Sequence, residues 1–201
     1  MISNNTFFTG ATLGLCTQAE ANHHILRLYD IRRRSPKAFT SVDLLPFSPR
    51  DSDSFEGEMN VAAFSPDQIY LALARNDNQT HLYDRRMLGK QCSEPLFKYH
   101  HFGESKTVSK QELYGIVQAQ WVQSSWTTRT CLVTGGEDGV HPIRSSELGF
   151  LMPDLIGCIR MWDPSVSAHD VENGKVLAEV NYDISQFSIG DPFVGEYRLV
   201  V

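Results

Sequence analysis

The stretch Val61–Arg86, VAAFSPDQIYLALARNDNQTHLYDRR, carries more fold information than any other part of the chain. It divides into three short strands joined by two turns. Val61, Ala63 and Phe64 supply a first apolar stretch, and Ser65-Pro66-Asp67-Gln68 then supplies turn chemistry. Proline presets a turn backbone angle, and an aspartate side chain can bond back to the main chain. Ile69–Ala74 is an apolar run of strand length, the pattern of a strand covered on both faces. Asn76-Asp77-Asn78-Gln79 makes the second turn, and His81-Leu82-Tyr83 begins the next strand.

This segment resembles a WD40 repeat, in which a phrase such as V-A-F-S-P-D-G, a short strand, an Asp-containing turn and a closing Trp-Asp follow in that order. Tyr83-Asp84 stands here in place of Trp-Asp, and Asp77 lies seven residues before Asp84, the family's spacing. The same ending occurs twice more. His24–Asp30, HILRLYD, ends on Tyr29-Asp30, and Cys158–Asp163, CIRMWD, ends on Trp162-Asp163. Asp30 and Asp84 are 54 residues apart, Asp84 and Asp163 are 79 apart. Repeats of this family take about 40–45 residues, so both intervals are long.

Much of the excess has a location. Leu132–Gly139, LVTGGEDG, has the character of a second strand and turn, and the 18 residues Val140–Gly157 have no counterpart in the family pattern. Without them the chain reads LVTGGEDGCIRMWD, and Asp138 falls seven residues before Asp163. The segment is either a loop extending a hairpin tip, which costs little in closure entropy, or a translated intron, since it opens on a Val codon and closes on Ile-Gly. Both origins stay open. Phe102–Glu112 and Arg50–Glu58 are polar stretches between repeats.

The fold expected is therefore all-β, a partial WD40-like propeller of antiparallel four-stranded blades. Its blades span about residues 1–45 (without a clear first strand), 60–101 and 113–182, and the start of another occupies 183–201. Val176–Tyr182 is the expected outer strand of the third, Ile184–Ser188 opens the fourth, and Glu196–Val201 begins a strand. A ring closes with typically four to eight blades. Three would leave apolar surface and strand edges uncovered. The expectation is a piece of a longer propeller, a truncated product, or a chain that needs remaining blades or a partner chain to complete the ring.

Bulk properties narrow the function. The chain has 201 residues, 41% hydrophobic and 21% charged, close to the globular average. Its 24 acidic and 18 basic residues give a net charge of −6, which opposes an overall grip on nucleic acid or an anionic membrane. Cys16, Cys92, Cys131 and Cys158 are far apart with no CxxC pair, so neither a zinc site nor a disulfide framework is indicated. The opening MISNNTFFTG has no signal-peptide character, and no long apolar run crosses a membrane. An intracellular protein, cytoplasmic or nuclear, is expected.

Four places invite a chemical reading. Arg32-Arg33-Arg34 could meet phosphate or an acidic partner, but reads more simply as a solvated loop. The pairs His23-His24 and His100-His101 have no carboxylate or thiol at ligand spacing beside them. Asp51, Asp53, Glu56 and Glu58 lie in a polar loop, where the burial that separates carboxylate pKa values is not expected. Gly135-Gly136, followed by Glu137-Asp138-Gly139, reads as a strand-end turn whose acids would repel phosphate. No G-x-S-x-G, phosphate loop or H-E-x-x-H occurs. No catalytic, cofactor or metal site is expected.

The resemblance also implies a hydrogen-bonded set that stiffens each blade: a turn Asp, a strand Ser or Thr, the Trp, and the His of Gly-His. By position Asp138, Thr134 and Trp162 match in the third blade, and the pair His100-His101 lies where the family carries Gly-His. The second blade keeps Asp77 but has Leu73 and Tyr83; in the first, His23 holds the Asp position. What the resemblance implies for function is a non-catalytic scaffold that binds other proteins within a complex. A nucleic-acid or chromatin-associated module and a gene product without independent function are the alternatives.

Overall fold

The structure is a computed structural model that describes residues 6–9, 14–20, 23–29, 40–44, 59–76, 78–88, 94–101, 115–123, 129–142, 153–165, 174–180, 184–190 and 199–201. Its strands fall into successive antiparallel sheets, each built from strands adjacent in sequence. The first sheet is β1 (Thr6–Thr9), β2 (Gly14–Glu20), β3 (His23–Tyr29) and β4 (Thr40–Leu44), side by side in that order. The second is β5 (Met59–Phe64), β6 (Tyr70–Arg75), β7 (Gln79–Asp84) and β8 (Phe97–His100). The third is β9 (Ile116–Gln123), β10 (Thr130–Pro142), β11 (Pro153–Trp162) and β12 (Lys175–Val180). A two-stranded sheet of β13 (Ser188–Ile189) and β14 (Leu199–Val200) follows.

Two features differ from the sequence reading. The first sheet does have a first strand: β1 pairs Thr6 with Thr17 through Thr9 with Gly14. Four residues are too few to display alternation, so this strand gave no periodic signal. Gly135 and Gly136 lie within β10, facing Ile159 and Cys158, instead of in a turn. The ladder resumes after a register shift, with Val140 opposite Leu155, His141 opposite Asp154 and Pro142 opposite Pro153. The two ends of the 18-residue segment thus pair with each other and lengthen the hairpin.

Local chemistry fixes the turns. Between β5 and β6, Ser65 N–H donates to Tyr70 O (2.9 Å) and Tyr70 N–H donates to Ser65 Oγ (2.8 Å). Asp67 Oδ1 accepts from Ser65 Oγ–H at 2.5 Å and from Ile69 N–H at 3.0 Å. This Asp–Ser clasp bends the chain tightly enough to place Gln68 at a φ of 58°, the left-handed region that disfavours a side chain. At the start of β9, Gly115 has a φ of +64°, and a Cβ there would lie 2.3 Å from the Asn76 backbone. The third sheet's first strand is thereby seated directly on the β6–β7 turn of the second.

The sheets bury their faces against one another. The first strands of neighbouring sheets lie together, β1 near β5 and β5 near β9. Leu26 of β3 packs with Ala62, Leu71, Leu73 and Tyr83 of the second sheet. On the opposite face of that sheet, Ala72, Leu82 and Tyr99 pack with Leu132 and Trp162 of the third. Val133 and Ile159 then meet Ile184 and Phe187. Alternation along β6 and β7 explains why both faces are apolar: each central strand serves two cores, so its run reads as continuous. Four-stranded antiparallel sheets stacked face to face, first strands together, are the arrangement of propeller blades.

Candidate interaction surface

Three polar side chains between the second and third sheets form one buried unit. Trp162 Nε1–H donates to Thr134 Oγ1 at 2.8 Å, and His101 Nε2 lies 2.5 Å from the same oxygen. A hydroxyl has one proton to give and can also accept, so Thr134 satisfies both partners. His101 follows β8, at the end of the second sheet, and is buried, as are Thr134 and Trp162. The bond therefore ties one sheet to the next. Tyr99 stacks on Trp162 with centroids 4.8 Å apart, and Phe97 stacks on Tyr99 at 6.0 Å.

Further bonds cross the same boundaries. Asn60 Nδ2–H donates to Ile116 O (3.0 Å), and Trp121 Nε1–H donates to Ala63 O (3.0 Å). Gln118 uses both ends of its amide on the backbone of Phe187, donating to its O at 2.8 Å and accepting from its N–H at 2.7 Å. The two-stranded sheet is held to the third as a strand would be. These contacts fix neighbouring sheets relative to one another.

The matching chemistry in the second sheet is different. Leu73 stands where Thr134 stands, and Tyr83 where Trp162 stands; the Tyr83 hydroxyl lies 3.5 Å from His81 Nδ1. His81 is buried and neutral, its pKa pushed down to about 2 by desolvation first and then by Arg75, Lys98 and His100. Burial likewise pushes up the Cys131 thiol, with the charge of Asp163 adding to it. A thiol held protonated is a poor nucleophile. Cys131 and Cys158 are both buried.

Of the other residues singled out in the sequence, His100 is exposed while His101 is buried. His23 and His24 lie on β3, opposite Glu20 and Ala19. Asp138 lies on β10, and its side chain is outside the described residues, as are Arg32–Arg34, Asp51, Asp53, Glu56, Glu58 and Asp77. Among the described residues, no group of three His, Cys, Asp or Glu is placed to hold a metal ion, and no helix is long and apolar enough to cross a membrane.

The structure matches a solved chain described as "Structure of Dos1 propeller", with a TM-score of 0.54 and 19% identity, over 90% of this chain and 34% of that one. The fold is a partial β-propeller. The chain spans about a third of the length of the chain it matches. No family model matches the sequence, and no curated protein does.

On a propeller the loops joining strands carry what the sheets do not bury. Among the described residues, the end of the second sheet that bears the β5–β6 turn and the segment after β7 is the richest such place. Phe64, Tyr70 and Trp121 are half-buried there, with Tyr70 stacked on Trp121 at 6.1 Å. Met87 and Leu96, between β7 and β8, are each 49% exposed. Arg85 lies over the Phe64 ring, 5.7 Å from its centroid. None of these was singled out in the sequence; Arg85 and Phe64 lie in the quoted repeat, but only the fold brings them together.

Proposed function

We propose that this chain is a segment of a WD40-type propeller that acts as a non-catalytic platform for binding other proteins, inside the cell. The observation that carries this reading is the composition of the β5–β6 end of the second sheet. Aromatic rings, Met and Arg, the residue types enriched at the centres of protein interfaces, gather there around Phe64, Tyr70, Trp121, Met87 and Arg85. The WD40 assignment is supported by the His101–Thr134–Trp162 unit, whose residue types and positions are those the family's repeat requires.

The test uses the full chain, immobilised, beside a Met87→Asp/Leu96→Asp variant shown by circular dichroism to melt as the parent does. Both positions are half open to solvent, so the change is expected to cost stability little. The expected result is a discrete set of proteins retained by the parent and lost from the variant. Identical retention by both would reject this surface as the platform.

A further inference from the structure

Three guanidinium groups lie at this end of the second and third sheets, and they are not equivalent. Arg86 is neutralised by Asp84: Nη2 lies 2.6 Å from Oδ2 and Nε 3.0 Å from Oδ1. Arg129 reaches Asp163 at 3.2 Å. Arg85 has no carboxylate partner among the described residues. Its Nη1–H instead donates to the neutral Gln68 Oε1 at 2.7 Å, and its plane is steadied by the Phe64 ring. Asp67, the nearby acid, is turned into its own loop by Ser65 and Ile69.

Arg85 is thus oriented but not neutralised. Most exposed arginines lose conformational entropy when a carboxylate binds. Here the Gln68 amide and the Phe64 ring have already removed part of that freedom, so more of the charge-assisted bond is retained as affinity. Met87 and Leu96 lie on the chain segment that leaves Arg85 and offer exposed apolar surface. Met is unbranched and adapts to varied contours.

We infer that Arg85 is the anchor of a docking site for a protein segment that carries an Asp or Glu a few residues from a large apolar side chain. The carboxylate meets the open edge of the guanidinium, and the apolar side chain packs on Met87 and Leu96. This rests on the platform reading and specifies its partner chemistry. Gln68 is a positioning residue: its amide oxygen accepts from Arg85 Nη1 and holds the guanidinium.

The probe is an array of synthetic octapeptides in which one Asp or Glu stands one to four positions from Leu, Ile or Phe. Matched sets carry Asn or Gln for the acid, or Ser for the apolar residue. The full chain is expected to retain the acidic–apolar set about tenfold or more over the amide set, the value of one hydrogen bond to a charged group. Arg85→Gln should abolish that preference, while Asp84→Asn/Arg86→Gln, which removes the neutral pair together, should change it by less than about twofold. Gln68→Gly relieves the left-handed backbone, so it should leave the melting temperature unchanged or raised while weakening the preference. Equal retention of acid and amide sets, or a preference that survives Arg85→Gln, overturns the anchor. If apolar peptides bind without regard to the acid and are lost with Met87→Asp/Leu96→Asp, the anchor fails and the platform stands. If no peptide is retained, the anchor fails, and the capture experiment alone decides the platform.

Discussion

The second and third sheets solve the same packing problem with opposite chemistry. Each must seal its face against the sheet before it, and each uses the same two strand positions to do so. In the third sheet the positions hold Thr134 and Trp162, and the histidine that completes them comes from the end of the second sheet. In the second sheet they hold Leu73 and Tyr83, which pack with Leu26 and Leu71. Arg75 lies where the third sheet has Gly136, and it is buried beside a neutral His81. At these positions the third sheet has directed bonds that cross a boundary, and the second has apolar packing beside buried Arg75 and His81. Directed bonds fix orientation, whereas apolar packing of about the right volume fixes proximity with less geometric definition.

The largest expected consequence concerns Trp162. Trp162→Ala removes the Tyr99 stack and the Thr134 bond together, and a core Trp-to-Ala change costs about 3–5 kcal/mol. Thr134→Val keeps the shape but strands a buried indole N–H and His101, at a cost of about 1–3 kcal/mol. Tyr83→Phe, the parallel change in the second sheet, removes a hydroxyl that lies a long 3.5 Å from His81 Nδ1, and should cost under about 1 kcal/mol. Urea unfolding of the full chain reads all three. A Tyr83→Phe loss as large as that of Thr134→Val would erase the contrast between the two sheets.

A second difference is visible against pH. His81 titrates near 6.5 when unfolded, but in the folded chain burial, and then Arg75, push its pKa down to about 2. Above pH 6.5 its neutral form is favoured in both states and its contribution is complete. As pH falls below 6.5 the unfolded chain takes up a proton that the folded chain refuses, so stability drops by about 1.4 kcal/mol per unit. Between pH 7 and pH 5 the loss from this residue is about 2 kcal/mol. His81→Gln should flatten the stability profile over that range, measured by urea midpoints at each pH. An unchanged slope in the variant would mean the imidazole is not the group being titrated.

Much of this contrast was legible in the sequence, because both repeats share one spacing. Asp77 and Asp138 index Leu73 against Thr134 and Tyr83 against Trp162 once the 18 residues Val140–Gly157 are set aside. The pair His100-His101 could be placed for the same reason. The first strand at Thr6–Thr9 was not legible, since a four-residue strand has no period to detect and is defined only by its partner β2. Nor was the Phe64–Arg85–Gln68 grouping, because residues 17 positions apart meet there through the pairing of β6 and β7. Sequence repeats report on sheet interiors, where spacing repeats. Surfaces are assembled across turns, where it does not.

The smallest expected effect comes from making the two hairpins alike. Deleting Val140–Gly157 leaves Gly136 opposite Cys158 and joins them through Glu137-Asp138-Gly139. That is a three-residue connection ending in Gly, a common hairpin length, and it matches the Asn76-Asp77-Asn78 connection between Arg75 and Gln79. The deletion removes the pairs Val140 with Leu155 through Pro142 with Pro153, and Gly157, which pairs with Glu137 and Val180. Shortening the connection from 21 residues to three is almost three halvings and returns about 1.7 kcal/mol of closure entropy, which offsets the lost ladder pairs, so thermal melting should remain cooperative with a net shift under about 1 kcal/mol. Loss of the cooperative transition would mean that the paired ends of the segment hold β10 and β11 in register, and that the third sheet depends on a ladder extension the second sheet lacks.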